Sequence, residues 1–337
     1  MATQLGYASG LLLIAPLGDV VARKPLILAL AAGLTVALAA AALATGVPML
    51  IGASFLIGLM ATLVQQIVPM AAHLAPEDRR GRVVGTVMSG LLFGVLGGRV
   101  AAGFLGALVG WRGVFAAGAG TMVLLGLVLW WRLPSLPPAT KEPYGRLLRS
   151  VFAMAKKHPA LRASAIQGSL LFAAFSLFWV TLTPFLASPA FNLGSKAAGL
   201  FGLIGAVGTL VAPLSGRSAD KHGSGPVITV AVAIVLASFA IFGAFGRTLV
   251  GLAIGTVVLD AGIQAALIAN QARIFALEPP ARSRINAFFM TVYFLGGAMG
   301  SLAAAGAWAW FGWMGAVAAG SLFALGSGLA HWLSSRD

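Results

Sequence analysis

The chain has 337 residues, of which 59% are hydrophobic and only 9% charged, with a net charge of +14 and no cysteine. An average soluble domain is roughly 25% charged, so this chain has too little polar surface to coat a water-soluble globule. Disulfides and thiolate metal sites are excluded with the cysteines. The N-terminus "MATQLGYASG" has neither a basic start nor a cleavage site and reads as mature protein rather than as a secretory signal.

Apolar runs long enough to cross about 30 Å of hydrocarbon as helices fall at 4–18, 26–45, 48–72, 83–107, 111–131, 163–187, 197–215, 226–246, 248–272, 285–307 and 312–333. None has the short alternating pattern of a transmembrane strand, so the expectation is an all-α membrane protein with eleven spans. The first charged turn, "PLGDVVARKP", follows one short run. With that turn placed inside the cell and the spans alternating, eighteen of the 22 basic residues collect on the inner side, among them Arg79, Arg80, Arg82, Lys141 and Arg336. Arg112, Lys196 and Arg247 fall outside and Arg99 lies within a span. This bias predicts a cytoplasmic linker and C-terminus. It also assigns the net charge to the anionic inner leaflet, with no need for nucleic acid.

Residues 133–160 form the one long polar segment. "LPSLPP" gives it a stiff start, and "YGRLLRSVFAMAKK" reads as an amphipathic helix with Leu147, Leu148, Val151, Phe152 and Ala155 opposite Arg146, Arg149, Lys156 and Lys157. Such a helix is expected on the cytoplasmic membrane surface. It divides the chain into an N-terminal bundle of five spans, 1–132, and a C-terminal bundle of six, 161–337.

The two sides match. "RVVGTVMSGLLFGVLGGRVAAGFLGALVGW", from Arg82, lies over "RINAFFMTVYFLGGAMGSLAAAGAWAWFGW", from Arg284, at an offset of 202. Gly94, Gly98, Gly110 and Trp111 meet Gly296, Gly300, Gly312 and Trp313, and the pairs Gly94/Gly98 and Gly296/Gly300 read as close helix contacts. Asp19 and Asp220 are 201 apart, each in a charged inner turn. One unit has been used twice. The second unit opens with a span, 163–187, whose counterpart would precede residue 1, so the expectation is a chain lacking the opening helix of its first unit, through a misplaced start or a truncation.

Two units joined by a basic loop, with acid-and-base turns at the repeat offset, resemble the major facilitator superfamily, and the resemblance covers the whole chain. The family's turn reads Gly-x-x-x-Asp-Arg/Lys-x-Gly-Arg-Arg/Lys. "GRSADKHGSG" supplies Gly216, Asp220, Lys221 and Gly223; "APLGDVVARK" keeps Asp19, Arg23 and Lys24, with Ala15, Val20 and Ala22 at other motif positions. The resemblance implies a fold of two pseudo-repeated bundles and twelve helices in full, and gating roles for these turn residues. It is closest to bacterial drug, sugar or nucleoside exporters of the proton-antiporter type. Those exporters often carry Gly-x-x-x-Gly-Pro-x-x-Gly-Gly on helix five; Gly90, Gly94 and Gly98 keep part of it, with Val95 for the proline and Arg99 for the last glycine.

Asp260 is the only acid within a span, about twelve residues into its helix and so roughly 18 Å along the axis, too deep to reach out easily. Intramembrane acids are retained mainly where they face a cavity or a partner, and a carboxyl out of water holds a proton more tightly. Asp260 is therefore the proton-coupling candidate, with a structural tether as the other reading. Gln264 and Gln271, at i+4 and i+11, share its face. Arg99 could pair with Asp260 or bind an anion, or reach the outer headgroups. Thr62, Gln66, Pro69 and His73 form one stripe, Ser169, Ser176, Trp179 and Thr183 another. The resemblance places these helices around the central cavity, so they are candidate substrate contacts, with Asn286 and Tyr293; interhelical glue is the competing reading.

No nucleophile elbow, phosphate loop or paired metal-binding histidines are present, and no cofactor is expected. The expected protein is an inner-membrane secondary transporter and a monomer, whose partners are a small organic solute, protons and membrane lipids. Export against proton entry is the first expectation. An uncoupled facilitator or importer, or a truncated member that does not transport, is the alternative.

Overall fold

A computed structural model describes residues 1–76, 79–138, 142–209, 211–278 and 281–334. Lys141 and Arg336, counted above among the inner-side charges, lie outside them. All regular structure among the described residues is helical. By contacts the chain divides into two units, Ala2–Ser150 and Val151–Asp337.

The first unit contains α1 (Ala2–Leu13), α2 (Leu17–Val20), α3 (Arg23–Ala42), α4 (Val47–Ala61), α5 (Val64–Leu74) and α6 (Arg80–Arg132). Prolines punctuate it. Pro16 has no N–H to offer, and α1 stops at Leu13 before it; Pro48 sits in the first turn of α4, where a missing N–H costs nothing. The helix α7 (Tyr144–Lys157) follows, and its first residue is tied back to this unit by the Tyr144 hydroxyl, which donates to the Leu13 carbonyl at 2.7 Å.

The second unit contains α8 (Pro159–Ala187), α9 (Ser195–Thr209), α10 (Ala212–His222), α11 (Ser224–Phe245), α12 (Leu249–Phe275) and α13 (Arg282–Ser334). Its core is aromatic. Phe178 stacks on Phe242 with centroids 4.5 Å apart, and Phe185 on Trp313 at 4.0 Å. The Trp313 indole N–H donates to the Phe242 carbonyl, so the buried ring brings its one polar atom to a partner.

Among the described residues, eight helices are long and apolar enough to cross a membrane. Two of them, α6 and α13, are 53 residues each. At about 1.5 Å per residue a straight helix of that length would reach roughly 80 Å, more than twice the hydrocarbon thickness. Both are broken once by a glycine outside helical geometry, Gly110 (φ 71°) and Gly312 (φ 57°). These are equivalent positions of the repeat, and positive φ is open to glycine at little cost. Each long helix thus supplies two arms, 80–109 and 111–132 in α6, 282–311 and 313–334 in α13. In α13 the arms lie side by side: Ala304 and Ala316 pack in one cluster with Leu177.

The first arm of α13 runs along α8 with almost no gap. A Cβ on Gly296 would run into the Ser169 carbonyl, and one on Gly300 into the Ala173 carbonyl. The expected close contacts at Gly94 and Gly98 are not seen: a Cβ at either would meet nothing within 4 Å. Among the described residues, nothing packs against that face of α6 closely enough to need the glycines. The second arm of α6 does find a partner, α3, where the Arg112 guanidinium donates to the Ala44 carbonyl at 2.9 Å.

The amphipathic helix forms over the expected residues, but part of its apolar face is covered by protein. Val151, Met154 and Ala155 are buried, and the last two pack with Leu161, Ile274 and Ile285; Phe152 stays half exposed. Its end is held by Glu278, which accepts from Lys157 Nζ at 2.6 Å and lies 3.0 Å from His158 Nε2.

Two outcomes follow from this packing. Gly300→Ala is expected to lower the thermal unfolding midpoint in detergent, at a cost of about 1–3 kcal/mol for forcing packed backbones apart. Gly98→Ala should leave the midpoint unchanged or raise it by up to about 1 kcal/mol equivalent, since alanine is the better helix former. The second outcome concerns Glu278. The hydrogen bond from Lys157, and then that from His158, hold its carboxyl below the usual carboxylate range. A lowered carboxyl contributes stability above its unfolded value, about 4.3, and loses it as pH falls through the folded value. The difference in thermal midpoint between the parent and Glu278→Gln should therefore be small at pH 7 and vanish as the pH is taken below about 4.

Candidate functional site

Asp260 lies in mid-α12 and is 7% exposed. The wall beside it is backbone. Along α9, Gly199, Gly202, Gly205 and Gly208 recur at every third position and all are buried. A Cβ on Gly205 would stand 2.7 Å from Asp260 Oδ2, 3.1 Å from its Cγ and 3.1 Å from Trp179 Cζ2. One turn on, a Cβ on Gly208 would run into the Val257 carbonyl and approach Asp260 Cβ to 2.9 Å. Carboxylate and indole thus meet over a stretch of helix that has no side chains.

Aromatic rings complete the surroundings. Tyr293, on the first arm of α13, is buried. Its ring stacks on Phe172 at 4.3 Å with 20° between the planes; Phe172 stacks on Phe175 at 5.5 Å, and Phe175 tilts against Trp179 at 6.0 Å. Phe172, Phe175 and Trp179 fall at i, i+3 and i+7 of α8 and so share a face. A single carboxylate among aromatic rings can take up and release a proton, and in its charged form it attracts cations held over the ring faces.

Two of the sequence-predicted residues, Asp260 and Trp179, are therefore brought to one place by α12 and α8, and the stacked rings of Phe175 and Phe172 lead from there to a third, Tyr293 of α13. Gln264 and Gln271 are half-buried on α12. On α8, Ser176 is buried, Thr183 is exposed, and the Ser169 hydroxyl donates to the Ile166 carbonyl within its own helix. Asn286 is half-buried, and its Oδ1 has no hydrogen-bond partner among the described residues. Arg99 is half-buried on the first arm of α6. The sequence reading missed Gly205, Phe172 and Phe175. The period-three glycines and the i, i+3, i+7 aromatics were visible, but neither pattern names the residue it faces.

The stripe on α4 and α5 is used differently. Thr62 and Gln66 are 0% and 2% exposed; Thr62 faces α1, and Gln66 faces the turn after it and the start of α2. A Cβ on Gly10 would stand 2.6 Å from Thr62 Cγ2, and one on Gly18 would collide with Gln66 Oε1. The Gln66 amide donates to the Ala15 carbonyl at 3.2 Å and lies 3.4 Å from that of Ile14. There the Ile14 and Ala15 carbonyls already accept from the backbone N–H groups of Leu17 and Gly18, and the Gln66 amide adds a second hydrogen bond on their remaining lone pairs. Beside it, Gln65 Nε2 donates to the Tyr7 hydroxyl at 3.1 Å. Both arrangements have the form of interhelical tethers. Pro69 and His73 are exposed.

The charged turns also differ from each other. Asp19 pairs with Arg23 at 3.2 Å, and Arg23 Nε donates to the Gly18 carbonyl; Lys24 is half-buried beside them. Asp220 is exposed and lines a cavity of about 520 Å³ with Arg273 and His331; Lys221 is exposed. Gly223 links α10 to α11 with φ 82°, whereas Ala22, in the corresponding turn, has φ −60°. The glycine is required in one turn and dispensable in the other. Gly216 is half-buried, with Ile268 in ordinary contact. No group of three or more histidines and acids that could hold a metal occurs among the described residues.

The profile of the Major Facilitator Superfamily matches residues 1–265. The chain is 44% identical over 337 residues to the "Uncharacterized transporter YgaY" of Escherichia coli O157:H7, covering 98% of this chain and 84% of that one. It is 29% identical to the "Multi-drug resistance efflux pump PmrA" of Streptococcus pneumoniae, over 88% of this chain and 75% of that one. Among solved structures, a bacterial homolog of the human lysosomal transporter Spinster, inward-facing and unoccupied, superposes with a TM-score of 0.75 at 15% identity, over 99% of this chain and 89% of that one. At that identity the likeness is one of fold.

The tether geometry predicts that Gln66→Leu destabilises the protein by about 0.5–1.5 kcal/mol, the net worth of an intramolecular hydrogen bond, since the Ile14 and Ala15 carbonyls keep their backbone donors. Denaturant unfolding in detergent measures it. Ligand affinity per folded molecule should be unchanged, which separates a tether from a substrate contact.

Proposed function

The chain belongs to the major facilitator superfamily, a family of transporters and not of enzymes, and from that premise we propose that it exports a small organic solute in exchange for protons. The observation that carries the reading is the setting of Asp260, a carboxylate buried in a membrane-spanning helix between a glycine wall and aromatic rings. A buried charge is costly in a bilayer and is kept mainly where it works. In this reading Asp260 takes a proton from the outer side and releases it inside, in alternation with substrate. Trp179, Tyr293, Gln264 and Gln271 contact the substrate. The likeness to a multidrug efflux pump supports export, and drugs, sugars and nucleosides are the solute classes to try.

The rest of the proposal concerns placement. The protein resides as a monomer in a bacterial inner membrane, with bundles 1–132 and 161–337, the linker 133–160 and the C-terminus cytoplasmic, in keeping with the basic residues of the inner turns. Asp19, Arg23, Lys24, Gly216, Asp220, Lys221 and Gly223 act in gating, through the turns that carry them. A facilitator without proton coupling is the second reading. It is favoured by Val95 and Arg99, which stand where the antiporters' helix-five motif has proline and glycine.

A thermal-shift screen of drugs, sugars and nucleosides identifies a ligand, and its transport is then followed in proteoliposomes under an imposed pH gradient. Asp260→Asn is expected to fold and bind but to reduce gradient-driven transport to background. Full gradient-driven activity in that variant would overturn the role of Asp260, and parent activity without any gradient would favour the facilitator.

A further inference from the structure

We propose that Gly205 is a positioning residue for Asp260: the bare backbone of α9 is the surface against which the carboxylate rests, so α9 sets where in the site the charge is held. The inference rests on the reading of Asp260 given above for its functional meaning, but not for its geometry. The argument turns on which atoms a methyl group would meet. At Gly205 they are the tips of two side chains, Asp260 Oδ2 at 2.7 Å and Trp179 Cζ2 at 3.1 Å, together with Asp260 Cγ at 3.1 Å. At Gly208 they are backbone atoms of α12, the Val257 carbonyl and the Ala261 nitrogen at 2.8 Å, with Asp260 Cβ at 2.9 Å.

The two glycines thus do different work although they belong to one stripe. Gly208 lets α9 and α12 approach, which is the ordinary use of small residues between membrane helices. Gly205 leaves the helix axes alone and provides room for a carboxylate. Two side chains compete for that room, and a methyl group must displace at least one of them. Displacing Asp260 changes its distance from the groups that govern its protonation. Of the titratable residues on elements packed against α12, Tyr293 lies buried within the first arm of α13. Arg162 of α8, Lys196 of α9, Arg282 and Arg284 of α13 lie in the first turns of their helices, as Arg217, Asp220, Lys221 and His222 lie in the short α10 and His331 at the far end of α13; α11 carries none. On α12 itself the nearest charge is Arg273, thirteen residues on.

The test needs no substrate. Asp260 in the purified protein is modified with dicyclohexylcarbodiimide over a range of pH, and the peptide containing it is quantified by mass. In Gly205→Ala the midpoint of that curve is expected to move by about half a pH unit or more, roughly a threefold change in proton affinity, while the thermal unfolding midpoint stays near that of the parent. Gly208→Ala is expected to do the reverse, lowering the unfolding midpoint more than Gly205→Ala does. Trp179→Phe, which removes the indole atom 3.1 Å from the new methyl, should return the Gly205→Ala curve toward the parent. An unchanged labelling curve in a folded Gly205→Ala protein overturns the proposal; so does a shift that matches the one caused by Gly208→Ala in proportion to lost stability. Transport separates this from the functional reading: if Asp260→Asn transports like the parent while Gly205→Ala still moves the labelling curve, the positioning stands and the proton-carrier role falls.

Discussion

Within hydrocarbon, apolar side chains gain nothing by leaving lipid for protein, and every backbone polar group must be satisfied inside its own helix. Helices there adhere by coming close, and closeness is set by what is absent from their surfaces. The rest of this structure depends on that constraint. A Cβ on Gly6 would collide with the Phe55 carbonyl and one on Gly58 with the Thr3 carbonyl, so α1 and α4 each supply the glycine the other needs. Gly296 and Gly300 do the same for α13 against α8. Where the backbone breaks, a polar side chain adds a second tie, as Gln66 does to the Ala15 carbonyl after α1.

The duplication shows how far one set of residues can be carried before its surroundings reassign it. Gly110 and Gly312 keep one role, since a positive φ is a property of the chain alone. Trp111 and Trp313 do not. Trp313 is buried and stacked on Phe185, whereas Trp111 is half exposed with the Arg112 guanidinium 4.3 Å from its ring centre. Gly94 and Gly98 retain the small surface of Gly296 and Gly300 without a helix against it. Local backbone requirements survive duplication more faithfully than packing, because packing needs a partner that the sequence of the element does not contain.

The same distinction explains what could be read from residues alone. Spans were legible because hydropathy and length are local, and the two arms of α6 and α13 coincide with pairs of expected spans. The amphipathic helix was legible for the same reason, with Leu147 through Ala155 on one face. That Val151 and Ala155 are covered by protein was not, because periodicity identifies an apolar face but not what covers it. Asp260 stood out as a charge in an apolar run, and Trp179 and Tyr293 were reached with it. Thr62 and Gln66 have the same polar signature, yet they face α1 and the turn that follows it. A polar residue in a span announces that it has a partner; whether the partner is a helix end or a solute depends on three-dimensional neighbours such as Pro16 and Gly18.

This gives the Asp260 site its particular character. A carboxylate in a bilayer can be tolerated by pairing it with a cation, by surrounding it with donors, or by leaving it able to take a proton. Each choice places different side chains around the acid. Here the helix facing it offers backbone at Gly205 and Gly208, and the indole of Trp179 stands against the same wall. Rings and bare backbone are rigid: they cannot swing away to follow a change of charge as lysine or arginine can. A titratable group in rigid surroundings changes its charge without rearranging its walls, so the work of a protonation step falls on whatever else can move, the solute or the helices themselves. That is the physical sense in which a stripe of glycines and one aspartate can belong to the same device.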